Sequence, residues 1–176
     1  NVVDAAGNAT EKVRNILVGD TGRPVISLKG NPKVTVEAGT NYSDAGSAAT
    51  DVGDGDLSDA IKVTGEVNAN KPGNYELKYD VKDSSGNEAV TITRTVVVVD
   101  TTSPVITLVG AAVVTIEVGS NYDDQGATAK DSVDGDLTSQ IKVTGEVNVN
   151  KAGEYQLKYN VVDAAGNATE KVRNIL

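Results

Sequence analysis

Asp83-Ser-Ser-Gly-Asn87, a valine- and threonine-rich run ending at Val99, and Asp100-Thr-Thr-Ser-Pro104-Val-Ile-Thr-Leu108 form the stretch on which the reading of this chain turns. The polar cluster around Gly86 marks a tight turn, because glycine takes positive φ without steric cost and Asp or Asn side chains bond their own backbone. The β-branched run after it predicts a strand. A four-residue joint, Asp100 to Ser103, precedes Pro104, and the apolar residues after the proline predict another strand. The whole reads as the last turn and last strand of one β-domain, a joint, and the first strand of the next.

Outward from this joint the chain repeats. Pro24-Val-Ile-Ser-Leu28 matches Pro104-Val-Ile-Thr-Leu108 at an offset of 80, and Lys62-Val-Thr-Gly-Glu-Val-Asn68 recurs as Lys142-Val-Thr-Gly-Glu-Val-Asn148. Gly73, Tyr75, Leu77 and Tyr79 recur as Gly153, Tyr155, Leu157 and Tyr159, while residues 1–17 are identical to residues 160–176. Self-similarity at a fixed period is the signature of an array of like units. The boundaries that follow are 1–19, the C-terminal hairpin of a preceding repeat; 20–99, a first domain; and 100–176, a second. An orphan hairpin stays ordered only by pairing with something. The expected partners are therefore neighbouring copies of the same repeat, arranged head to tail, with residues 1–17 docking on or continuing an adjacent one.

Within one domain, Val25–Leu28 and Lys33–Glu37 read as short strands separated by a Gly30-Asn-Pro32 turn. Residues 38–46 are too rich in glycine and small polar residues for regular structure, and are expected to bring Tyr42 onto the edge of the core. Ala49 to Leu57 reads as a second loop, Ile61 to Val67 as a strand. Tyr75-Glu-Leu-Lys-Tyr-Asp-Val81 alternates without a break, so Tyr75, Leu77, Tyr79 and Val81 share one face. About seven short strands in some eighty residues, with turns at regular spacing and no helical periodicity, describe an antiparallel β-sandwich. Tyr75 and Tyr155 stand where Ig-like domains carry a tyrosine corner; packing in the core explains a tyrosine there equally well.

Composition narrows the chemistry. Cysteine and histidine are absent, which removes disulfides and zinc, haem or iron–sulfur ligation by those side chains. The formal charge of -9, from 25 acidic and 16 basic residues, argues against nucleic acid and anionic membranes. With no Phe, Trp or Met and six tyrosines, the core falls to Val, Ile, Leu and Ala. No run of about eighteen apolar residues is present.

The Asp-Thr-x-x-Pro joint, the central Asp-x-x-Asp-Gly-Asp-Leu, the Gly-x-Tyr-x-Leu-x-Tyr strand and the closing Asp-x-x-Gly-Asn together resemble the bacterial Ig-like surface-protein repeat, over both domains and the leading hairpin. The first joint departs from the pattern, with Gly22 and Arg23 in place of threonine and serine. The resemblance implies an all-β chain of two tandem Ig-like sandwiches from an extracellular protein of the bacterial cell surface. It implies a spacer, stalk or fibre role, with no catalysis.

Two carboxylate groupings carry the remaining chemistry. Asp51, Asp54 and Asp56, matched by Asp131, Asp134 and Asp136, place three like charges within six residues of each copy. A calcium ion, which takes roughly six to eight oxygen ligands, would compensate them, with Asp44 or Asp124 contributing from the preceding loop. A tight turn whose side chains cap local amides is the competing explanation. The second grouping lies at the joints: Asp83, Asn87 and Asp100, with Asp4, Asn8 and Asp20 at the first joint and Asp163 and Asn167 at the far end. Asx-turn chemistry explains these without an ion. Paired acids also serve glycosidases, but a sugar cleft here would lack tryptophan. The alternative to a spacer is an adhesin module that binds sugar or a receptor through its loops, which requires an exposed tyrosine cluster around Tyr42 or Tyr122. A lysine–asparagine isopeptide staple would need a buried acid beside the pair.

Overall fold

Alternation is realised in the computed structural model, which describes residues 1–176: Leu77, Tyr79 and Val81 are buried, while Glu76 and Lys78 face solvent. Ahead of the repeats, β1 (Val2–Val3) pairs with β2 (Ala9–Thr10). The first repeat comprises β3 (Val25–Leu28), β4 (Lys33–Glu37), β5 (Ser47–Asp51), β6 (Gly55–Asp56), a 3-10 turn at Ser58–Ala60, β7 (Lys62–Thr64), β8 (Gly73–Asp80) and β9 (Ile92–Val99). The second comprises β10 (Val105–Leu108), β11 (Val113–Val114), β12 (Ala127–Asp131), β13 (Gly135–Asp136), a 3-10 turn at Thr138–Gln140, β14 (Lys142–Thr144), β15 (Tyr155–Val162) and β16 (Ala168–Ile175). Each repeat has two sheets, ordered β3-β5-β6 and β4-β9-β8-β7 in the first, β10-β12-β13 and β11-β16-β15-β14 in the second. These are two tandem Ig-like sandwiches.

Two compact units are present: residues 1–29, 46–63 and 78–92, and residues 30–45, 64–77 and 93–176. In the first unit β3 runs antiparallel to β5, Ile26 opposite Ala49, and both are buried. Residues 1–19 of this unit are exposed throughout. In the second unit β15 and β16 pair from Tyr155↔Ile175 to Val162↔Ala168 and close over Ile106, Ala129, Leu137, Leu157, Tyr159, Val161 and Ile175. A second cluster there joins Ala38, Val96 and Val98 to Tyr42, Val67, Tyr75 and Val133.

Three local expectations are refined. The two strands flanking Gly30-Asn-Pro32 do not form a hairpin: β3 joins one sheet, and β4 joins the other beside β9 in parallel, Lys33↔Thr95 to Glu37↔Val99. A parallel neighbour needs a long crossover, and almost the whole domain intervenes between β4 and β9. The stretch 49–57, expected as a loop, folds as a tight hairpin with Asp51 opposite Gly55. The strand expected to reach Val67 stops at Thr64, because Gly65 has φ +101 and lies against the Glu76 carbonyl. The tyrosine corner is present: Tyr75 and Tyr155 each donate to a backbone carbonyl four residues upstream, Lys71 and Lys151, at 2.8 Å.

Candidate metal centres

Turn chemistry at one pole of each repeat assembles the carboxylates. In the first unit, Asp51 ends β5, and its Oδ1 accepts from Gly53 N at 2.7 Å and Asp54 N at 3.1 Å. Asp54 accepts from Ser84 N at 2.7 Å and from Ser84 Oγ at 2.8 Å, which fixes the hairpin tip to the β8–β9 turn. Asp83 is buried and accepts from both nitrogens of Asn87, whose Nδ2 also donates to Asp20 O. Asp20 closes its own Asx turn on Gly22 N. One oxygen from each of Asp20, Asp51, Asp54 and Asp83 lies within 4.8 Å of the others. At Gly53 an added Cβ would meet the Asp20 carboxylate, which would have to shift its side chain.

The second unit repeats the arrangement with Asp100, Asp131 and Asp134, again mutually within 4.8 Å. Asp131 Oδ1 accepts from Val133 N and Asp134 N, Asp134 Oδ2 from Ala164 N, and Asp100 Oδ1 from Thr102 N. Asn167 Nδ2 donates to Asp163 and to the carbonyls of Asp100 and Thr102. Burial pushes the Asp100 carboxyl above its ordinary range, with the charges of Asp131, Asp163 and Glu37 adding to it against the Thr102 amide. Asp131 as a residue is half-buried, but its Oδ2 is sealed from solvent and has no hydrogen-bond partner.

The structure thus takes part of each grouping read from the sequence. Asp51 and Asp54, like Asp131 and Asp134, join the joint aspartates. Asp20 meets Asp83 and Asn87, and Asp100 meets Asn167 beside Asp163, so a joint aspartate closes on the repeat it precedes. The expected set Asp83, Asn87 and Asp100 is not assembled, since all of β9 stands between that turn and the joint after it. Asp4 and Asn8 form the same local turn as Asp83 and Asn87, but exposed and apart from Asp20. Asp56 and Asp136 accept hydrogen bonds from Ser58 and Thr138, the first residues of the 3-10 turns, and those bonds lower both carboxyls.

Asp44 and Asp124 are also outside the clusters, because a buried arginine takes them. Arg94 pairs with Asp44 and Arg173 with Asp124, each arginine 1% exposed. Tyr42 and Tyr122 donate to the same carboxylates at 3.1 Å and pack against the cores, which leaves no exposed tyrosine cluster around them. The sequence reading passed over these arginines; the available signal was that Arg94 shares the inward parity of Val96 and Val98 on β9. Every lysine is exposed, so none sits in the buried acid-flanked pair that an isopeptide staple requires.

At the joint between the repeats, Glu37 receives three hydrogen bonds: Thr101 N at 2.7 Å, Thr101 Oγ1 at 2.9 Å and Thr102 Oγ1 at 3.2 Å. Val133, at the tip of the β12–β13 hairpin, packs into the Ala38–Val96–Val98 cluster of the first repeat.

A family model described as bacterial surface protein, Ig-like domain, matches residues 26–98 and again 106–176. Among curated proteins, the chain is 38% identical over 121 residues to an uncharacterized 81.3 kDa protein of Acholeplasma phage L2, covering 64% of this chain and 16% of that protein. It is 29% identical over 155 residues to the pesticidal crystal protein Cry22Aa of Bacillus thuringiensis, covering 81% and 21%. The chain therefore spans only 16% to 21% of the length of these relatives. Among solved structures, the M60 catalytic domain with CBM51-1 and CBM51-2 of Clostridium perfringens ZmpB aligns over 86% of this chain and 30% of that one, at 17% identity and a TM-score of 0.47. The lipoprotein BT2262 of Bacteroides thetaiotaomicron aligns over 85% and 99%, at 16% identity and a TM-score of 0.41.

Proposed function

The chain belongs to the bacterial surface protein Ig-like domain family, and from that premise we propose that it is a non-enzymatic spacer segment of an extracellular surface protein, a stalk or fibre of domains joined end to end. The observation that carries this reading is the joint. Four residues from Asp100 to Ser103 link the repeats, Glu37 of the first clasps Thr101 and Thr102, and Val133 of the second seats in the first repeat's apolar cluster. A short joint tied from both sides has little slack, which a spacer needs and a flexible linker lacks. The reading as a sugar- or receptor-binding module has no comparable support, since Tyr42 and Tyr122 are engaged internally.

Small-angle X-ray scattering tests the spacer role. The 176-residue chain should give a maximum dimension about twice that of one repeat, and a Gly-Ser insertion after Thr102 should broaden the distance distribution. A compact profile indifferent to the insertion would reject it.

The same proposal makes residues 1–17 the closing hairpin of a preceding repeat. Its support is their identity with residues 160–176, which supply the end of β15, the turn and β16 of the hairpin that closes a core. Placing a copy of residues 100–159 ahead of Asn1 regenerates a full repeat. Amides of the segment should then gain the exchange protection of residues 160–176; if they stay unprotected, the assignment fails.

A further inference from the structure

Acidic clusters on protein surfaces are common without any ligand, but Asp131 sets this one apart. Its Oδ1 is saturated by two backbone amides, while Oδ2 is sealed from water and receives no hydrogen bond, and one oxygen of this carboxylate lies within 4.8 Å of oxygens of Asp100 and Asp134. A buried carboxylate oxygen without a donor is costly, and like-charged neighbours add to the cost. No basic side chain offsets it: the ion pairs formed lie at Asp44, Asp124 and Glu170. What the arrangement lacks is a cation that accepts oxygen ligands only.

We infer that Asp100, Asp131 and Asp134 bind a calcium ion, and that Asp20, Asp51, Asp54 and Asp83 bind a second one in the equivalent place. Calcium–oxygen distances are roughly 2.4 Å, so two ligands of one ion stand at most about 4.8 Å apart. Both clusters meet that limit. The Asx turns prepare the sites by holding one oxygen of Asp20, Asp51, Asp100 and Asp131 on backbone amides. Water completes the shell, which fits calcium better than magnesium, an ion that demands a near-ideal octahedron and gives up water reluctantly. The ion would fix the joint aspartate Asp100 to Asp131 and Asp134, which flank the Val133 anchor at the tip of β12–β13. Ion binding itself stands on this geometry and is independent of the spacer reading; a calcium-binding but compact chain would sink only the latter.

Calorimetric titration of the full chain with calcium to millimolar concentration should give one ion per cluster, with a Kd of about 10⁻⁴ to 10⁻³ M, and melting should rise by several degrees relative to chelator. Asp131→Asn and Asp51→Asn should each remove one ion, and Asp123→Asn, outside both clusters, neither. The sign of the stability change guards against a misfolding artefact. In chelator, Asp131→Asn should melt at or above the parent, because it relieves repulsion; in calcium it should melt below. Absence of binding at millimolar calcium, or an equal loss of stability in both media, would overturn the inference. Equal affinity for magnesium would overturn its assignment to calcium.

Discussion

Arg173 is almost wholly enclosed, yet it leaves few donors idle: Nε donates to Ala111 O at 3.1 Å, Nη2 to Gly126 O at 3.2 Å, and Nη1 pairs with Asp124. Its Cζ lies 5.5 Å from the centroid of the Tyr159 ring, within cation–π range. Tyr159 is fully buried and donates to Asp124 as well; burial foremost, then that carboxylate, pushes the phenol well up. Removing one partner of such a pair strands the other without compensation. Asp124→Ala should therefore destabilise the second repeat by about 3–5 kcal/mol in urea unfolding. Burial pushes the Asp124 carboxyl upward, but hydrogen bonds from Tyr159, Tyr122 and Arg173 outweigh it, and the net shift is downward. A carboxyl lowered in the folded state contributes stability above its unfolded pKa, and the contribution is lost as pH falls through the folded value. Melting should thus fall on acidification below the usual carboxylate range, and the fall attributable to Asp124 should vanish in Asp124→Asn. The individual aspartates of the sites were legible in sequence because like charges so close together need an explanation. Which of them meet was not: Asp44 and Asp56 stand close to Asp51 along the chain and stay apart from it, whereas Asp20 and Asp83, far from it in sequence, join it and Asp54.

Among the elements, β8 and β15 were the most legible, since period-two alternation over seven residues admits one buried face. The parallel β4–β9 pair was not, because nothing in five residues of half-buried strand records a partner some sixty residues away. The Lys-Val-Thr-Gly motif stops its strand for a steric reason. Gly145 has φ +102, and a Cβ there would overlap the Gln156 carbonyl oxygen; Gly119 has φ +83 but open space around it. Gly145→Ala should cost roughly 1–3 kcal/mol and more than Gly119→Ala, as read from paired urea transitions. An equal cost would mean that backbone conformation, and not the close approach of β15, is the constraint. At the tyrosine corner, Tyr155→Phe deletes a single hydrogen bond to the Lys151 carbonyl and should cost about 1 kcal/mol.

Across the molecule, one seventeen-residue sequence occurs twice in different states. At residues 160–176 it forms the end of β15, the turn and β16, most of β16 pairing with residues 155–159 outside the segment, and Val161, Asp163, Arg173 and Ile175 are buried. At residues 1–17 it pairs only Val2↔Thr10 and Val3↔Ala9, with every residue exposed. Both copies keep the Asp-x-x-Gly-Asn turn, because that turn is satisfied by its own side chains. Intrinsic amide exchange is a property of local sequence, so NMR exchange rates should differ between the copies by the tertiary contribution alone: slow in β16, near the unprotected rate in residues 10–17. Similar protection in an isolated chain would contradict this. By itself the sequence determined the tandem β-repeats, the buried face of each strand and the positions of the turns, since alternation, glycine at positive φ and Asx bonds act over a few residues. Only the tertiary structure decided which edge β4 joins and which aspartates converge. Those outcomes depend on a facing surface far away in the chain, and a core closes only where that surface is supplied.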